Sequence, residues 1–172
     1  MKGAYTNMQQ INIDENKNKR TAGAVSQKKY IDKFLGSYIY FIFDKYTRNI
    51  VYIGQTQNIV ARHNEHYHSF NSTSSSFHSW TIEQNKDKQN YEMEVLDLTN
   101  YEQLDFDDRL LIEKVLQFHH SETIINKRIP NKLNAYEIER MEQIHLLIDF
   151  NFIGYRELKA EKMQNKKSLT NM

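Results

Sequence analysis

SYIYFIFDKYTRNIVYIG, residues Ser37 to Gly54, is the stretch from which the fold is read. Ser37 to Phe43 is aromatic and β-branched, the composition of a strand. Asp44 to Asn49 is polar and short, and Ile50 to Gly54 is a second strand. Two strands joined by so few residues pair antiparallel as a hairpin. With the turn centred on Tyr46, Tyr40 falls opposite Tyr52 on one face. A slip of one residue would separate them.

Working outward, Asn58 caps a helix from Ile59 to about Phe70, with Ile59, His63, Tyr67 and Phe70 as its apolar stripe. The run NSTSSS is a loop, and Phe77 to Gln84 is expected as a short helix. Tyr91 to Leu98 alternates Tyr91, Met93 and Val95 against Glu92 and Glu94, a half-buried third strand. Asp107 to His119 is a helix with acidic residues in its first turn, which suits the macrodipole. Beyond Pro130, Asn134 and Glu137 form a capping box for a last helix striped by Ile138, Met141, Ile144 and Ile148. Upstream, Ser26 caps a short helix through Tyr30, Ile31, Phe34 and Leu35, ending at Gly36. The expectation is an α+β fold of three strands flanked by helices. It comprises a polar arm over 1–24, a domain over 25–130, and a C-terminal helix and basic tail over 131–172.

Composition narrows the function classes. The 172 residues contain no Cys, which removes disulfides, thiolate nucleophiles and Cys-bearing zinc sites. The formal net charge is +1, so any nucleic-acid contact must come from local clusters. Two stand near the ends: Lys17, Lys19, Arg20, Lys28 and Lys29, then Lys159, Lys162, Lys166 and Lys167. No apolar run approaches the roughly 18 residues of a membrane span. The opening MKGAYTNMQQ lacks a signal-peptide core, so the cytoplasm is the expected location.

Some residues ask for chemistry. Arg62 and His66 lie one helical turn apart, at the edge of an apolar stripe. A guanidinium there calls for an anion: a phosphate, or a carboxylate of its own chain. Glu113 projects from a helix that Leu110, Leu111, Ile112, Val115 and Leu116 make mostly apolar. It is a candidate metal ligand, or a rim glutamate beside Lys114. His63, His66 and His68 crowd together but do not share one face, which disfavours zinc.

Taken in order, Tyr38-Ile39-Tyr40, Tyr52-Ile53-Gly54, Arg62, His66, Glu113 and Asn126 resemble the GIY-YIG nuclease family, over Tyr38 to Asn126. One position departs: the glycine that opens the family's first motif is Tyr38 here. The resemblance implies a three-stranded antiparallel sheet flanked by helices, and a metal-dependent endonuclease cutting DNA phosphodiester bonds. Glu113 would be the one protein ligand of a single divalent metal, Mg²⁺ with Mn²⁺ as substitute. Arg62 would stabilise phosphate charge. The general base is Tyr40, its phenolate favoured by nearby positive charge, or His66. Tyr52 would shape the hydrogen bonds and Asn126 would hold the site together. The implied partner is double-stranded DNA, for a restriction-like or free-standing phage or mobile-element enzyme, with a homodimer open. An RNA-directed nuclease and an inactive nucleic-acid-binding module are the alternatives.

Overall fold

A computed structural model describes residues 32–68 and 88–169. The chain divides into Met1–Phe34 and Leu35–Met172, and every element below belongs to the second unit. The helix expected from Ser26, the polar arm, the Ser-rich loop and the short helix at 77–84 lie wholly or largely outside the described residues.

Strand β1 runs Leu35–Asp44 and β2 Ile50–Asn58; helix α1 follows at Ile59–His68. A 3₁₀ turn at Lys88–Asn90 leads into β3, Tyr91–Asp97. Helices α2 (Phe106–His119) and α3 (Ala135–Leu147), the short β4 (Ile153–Gly154) and α4 (Tyr155–Leu169) complete the order. The fold is α+β, but the sheet has four antiparallel strands rather than three, in the order β2-β1-β3-β4. Two residues make up the extra strand: Ile153 pairs with Val95 and Gly154 with Glu94. So short a strand leaves no alternation in the sequence to read.

Both faces of the sheet are covered. Ile39, Phe41, Ile53 and Leu96 share one core with Leu111, Ile112 and Val115 of α2 and Met141, Ile144 and Ile148 of and just past α3. The opposite face presents Tyr38, Tyr40 and Ile42 toward α1 and α4, through His66 and Lys162. Burial on two sides explains why β1 reads as an unbroken apolar run.

The hairpin register differs from expectation. Tyr40 pairs with Gly54, and Ile42 with Tyr52, two residues out from a turn centred on Tyr46. Part of the offset comes from the turn, where Phe43 pairs with Ile50 and Arg48 takes φ 62°. There Asp44 Oδ1 accepts from the backbone N–H of Tyr46 at 2.8 Å and of Thr47 at 3.0 Å. The rest comes from a bulge that leaves Val51 without an opposite number. Two such steps preserve parity, so Tyr40 and Tyr52 still share a face as diagonal neighbours. Strand β2 also runs four residues further than expected, because Gln55 and Thr56 pair with Ile39 and Tyr38 despite being polar.

Other helical expectations shift in detail. Asn58 Oδ1 accepts from Ala61 N at 2.9 Å and caps α1. His66 is buried on that helix beside Ile59 and Val60, whereas His63 stacks between Tyr67 and Tyr155. Capping boxes at Asp105/Asp108 and Asn134/Glu137 open α2 and α3. Ile138 is 49% exposed and leaves the expected stripe, since the first turns of α3 are fastened by ion pairs instead of apolar contact. These are Lys114–Glu137 at 2.5 Å and a bidentate Arg140–Asp108 pair at 2.6 and 2.7 Å. The expected basic tail is α4, which buries Tyr155 and Leu158 and pairs Lys162 with Asp97 at 2.7 Å.

Candidate functional site

Tyr40 sits at the middle of the central strand, 1% exposed. Its ring lies across Gly54 of β2, where an added Cβ would come 2.5 Å from the phenol oxygen. Gly54 is therefore required for close approach of a side chain, and no other residue leaves that ring its place. The Tyr40 oxygen and His66 Nε2 are 3.0 Å apart. Tyr52 stacks beside Tyr40 with ring centroids 6.2 Å apart, and meets the His66 ring edge-on at 5.4 Å.

Arg62 stands one turn before His66, and its charge reaches Tyr40, Tyr52 and Glu113. Its Nη1 contacts Glu65 Oε2 at 2.7 Å, the intrachain carboxylate pairing allowed for by the sequence. That pair is largely exposed, with side chains 39% and 59% accessible, and is therefore weak. The guanidinium Nε is buried and without a hydrogen-bond partner among the described residues. Arg62 thus keeps an unmet, buried donor while its charge acts on both tyrosines.

Glu113 approaches from α2, beyond the open edge of β2. Gln117, one turn along the same helix, donates from Nε2 to Glu113 Oε1 at 3.1 Å and to the Ile53 carbonyl at 3.3 Å. Gln55, the residue after Gly54, also hydrogen-bonds the carboxyl. Lys114, weighed as its neighbour, turns instead to Glu137. Burial pushes the Glu113 pKa up to about 7, against the opposing pull of Arg62 and the Gln55 hydrogen bond. A carboxylate this under-compensated suits a cation that brings several charges to it at once.

Asn126 closes the edge. Its Nδ2 donates to the Ile53 carbonyl at 2.6 Å and its Oδ1 accepts from Ile53 N at 3.2 Å. The Ile125 N–H donates to the Val51 carbonyl at 2.9 Å. One side-chain amide thereby does for Ile53, between Tyr52 and Gly54, what a neighbouring strand would do, pairing both its backbone N–H and its carbonyl.

The structure accordingly puts Tyr40, Tyr52 and His66 in contact, brings Arg62 and Glu113 near enough for their charges to act on both phenols, and binds Asn126 to Ile53 of the strand that carries Tyr52. Gln55 and Gln117 were missed by sequence reasoning; the spacing of Gln117 four residues after Glu113 was the available signal. Tyr38, at the departing glycine position, is buried under Lys162, whose Nζ lies 5.2 Å from its ring centroid.

Burial also fixes the acid–base character of the phenols. Tyr40 is raised well above its ordinary value by burial and by Tyr52, with Arg62 only partly offsetting. Burial likewise raises Tyr52, while Arg62 and a hydrogen bond to Tyr40 pull it back. The positive charge expected to favour a Tyr40 phenolate is present, but desolvation outweighs it.

No protein-family model matches the chain, and no curated protein or solved structure matches it.

Proposed function

We propose that the protein is a metal-dependent endonuclease of the GIY-YIG type that hydrolyses phosphodiester bonds in DNA. The observation that carries this reading is the convergence of two phenols, an imidazole, a guanidinium with a buried, unmet Nε and one under-compensated carboxylate from four separate elements. Packing alone gives no reason to gather those groups in one place, since the guanidinium and the carboxylate are costly to desolvate.

The donor set fits a hard divalent cation such as Mg²⁺. Glu113 would hold it, and a single carboxylate is enough for an ion that keeps much of its own water. When bound, the ion supplies positive charge to the phosphate oxygens. Arg62 would bind the same phosphate through its unmet Nε edge and stabilise charge as it grows on the equatorial oxygens. Gln117 and Gln55 orient the carboxyl. The hydrolytic water attacks phosphorus as the bond to the leaving oxygen breaks, the water's proton passes to the Tyr40–His66 pair, and the leaving alkoxide takes up a proton from solvent. With the phenol held protonated by burial, Tyr40 hands its own proton to His66 Nε2 as it accepts that of the water. The two candidate bases thereby become one relay.

Plasmid and duplex oligonucleotides incubated with the purified protein test the reading. Cleavage is expected with Mg²⁺ or Mn²⁺ and not with EDTA, and more slowly on an RNA of the same sequence. Arg62→Ala is expected to lower the rate on the order of 10²-fold, the size found when one preorganised charge-stabilising donor is removed. An Arg62→Ala protein that folds and cuts at the full rate contradicts it.

A further inference from the structure

Arg109 precedes Glu113 by one turn of α2, so both project from the same side of the helix. Its Nε is buried without a partner, and its guanidinium makes no hydrogen bond or ion pair with any described residue. The adjacent carboxylate that feels its charge, Asp108, is already held by both nitrogens of the Arg140 fork. Nor is Arg109 the counter-ion of Glu113, whose opposing charge comes from Arg62. A partly desolvated cation with no anion of its own among the described residues is costly, and its surroundings say what would relieve it.

Those surroundings form a groove of about 240 Å³, lined by Ser37, Gln55, Thr56, Gln57, Phe106 and Arg109. Apart from Phe106, the lining is uncharged polar side chains and one guanidinium, and the space admits several waters. Gln55 connects the groove to Glu113, because the same side chain hydrogen-bonds that carboxyl. At the lip stands Phe106, an aromatic left 59% exposed at the first position of α2. A bare anion would have no use for that ring, whereas a nucleotide offers it a base or sugar to cover.

We propose that this groove is a second phosphate subsite, in which Arg109 binds a backbone phosphodiester flanking the one at Glu113 and Phe106 stacks on the adjoining nucleotide. The proposal rests on the nuclease reading and names how that site would grip its strand beyond the scissile bond. Arg109 is a binding residue here, one phosphate removed from the chemistry.

The test is fluorescence anisotropy with labelled single-stranded and duplex oligonucleotides in EDTA, over a series of salt concentrations. Arg109→Gln is expected to weaken binding roughly tenfold, the worth of one charge-assisted contact. The slope of log affinity against log salt should shrink by about 0.7 to 0.9, the signature of one lost phosphate contact. Arg109→Lys should keep the slope. Gln57→Glu, at an exposed position, should reproduce Arg109→Gln by giving the guanidinium an internal anion, and so serves if Arg109→Gln does not fold. Phe106→Ala should weaken binding with the slope unchanged. Wild-type slope and affinity in both Arg109→Gln and Gln57→Glu would overturn the subsite, as would inorganic phosphate or a mononucleotide binding as tightly as the oligonucleotide. Binding in EDTA needs no catalysis, so a wild type that binds with these slopes but never cuts would defeat the nuclease reading and leave the subsite standing.

Discussion

A glutamate kept half out of water with one guanidinium for company, as Glu113 is, destabilises the protein that holds it. Its pKa rises from 4.5 to about 7 on folding, chiefly through burial. Between those values the folded chain binds a proton that the unfolded chain has released, so stability falls as pH rises through that window. The penalty is absent below about pH 4.5 and complete above about pH 7, at roughly 3 kcal/mol or less. Glu113→Gln, which keeps the shape without the charge, should therefore be more stable than wild type at about pH 8 in metal-free buffer. The two should converge near pH 4.5, as read by urea unfolding at both pH values. Equal stability at pH 8 would mean that the carboxyl is better solvated than its place on α2 suggests. Stability given up at one residue is the usual mark of a group kept for another purpose.

At the scale of elements, the site depends on the edge strand β2 and what is laid against it. Gly54 admits the Tyr40 ring, Asn126 and Ile125 close the outer edge, and Gln117 ties α2 to the same carbonyl. Gly54→Ala should drive Tyr40 off its position and break its 3.0 Å contact with His66. The expected readout is a loss of cleavage together with a changed Tyr40 environment by near-ultraviolet circular dichroism, and unchanged spectra would refute it. The hairpin, α1 and both capping boxes were legible because each is written in local chemistry: β-branched runs, a polar turn, Asn58, Asn134 with Glu137. Register was not, since the bulge at Val51 has no signature of its own. The sequence reads as a strand ending at Gly54, because the pairing of polar Gln55 and Thr56 is a tertiary matter in which β1 supplies the partner.

For the molecule as a whole, the sheet is the device that brings distant residues together. Tyr40 and Glu113 stand 73 positions apart in the sequence, yet α2 packs past the β2 edge and brings the charge of the carboxyl to the phenols. The sequence could list these residue types in order, and a resemblance could say which belong together, but their meeting follows from long-range packing alone. The same holds for the C-terminal segment, whose lysines read as a tail. Only the pairing of Lys162 with Asp97 and the burial of Tyr155 and Leu158 make it α4, lying over Tyr38. Removing the Arg140–Asp108 clasp tests how α3 is held. Burial aside, that clasp holds the Asp108 carboxyl below its ordinary value, so its stabilisation is present above about pH 4 and fades as pH falls further. Asp108→Asn should lower the melting temperature at pH 7, and the difference should shrink as the pH is taken below about 4; a constant difference would contradict it.

The most direct measurement is the rate of DNA cleavage by Glu113→Ala beside wild type in Mg²⁺, with DNA affinity measured on the same preparations. The account predicts cleavage abolished and affinity retained. A variant that cuts as fast as wild type would show that the carboxyl at the sheet edge takes no part, and the endonuclease reading would fall with it.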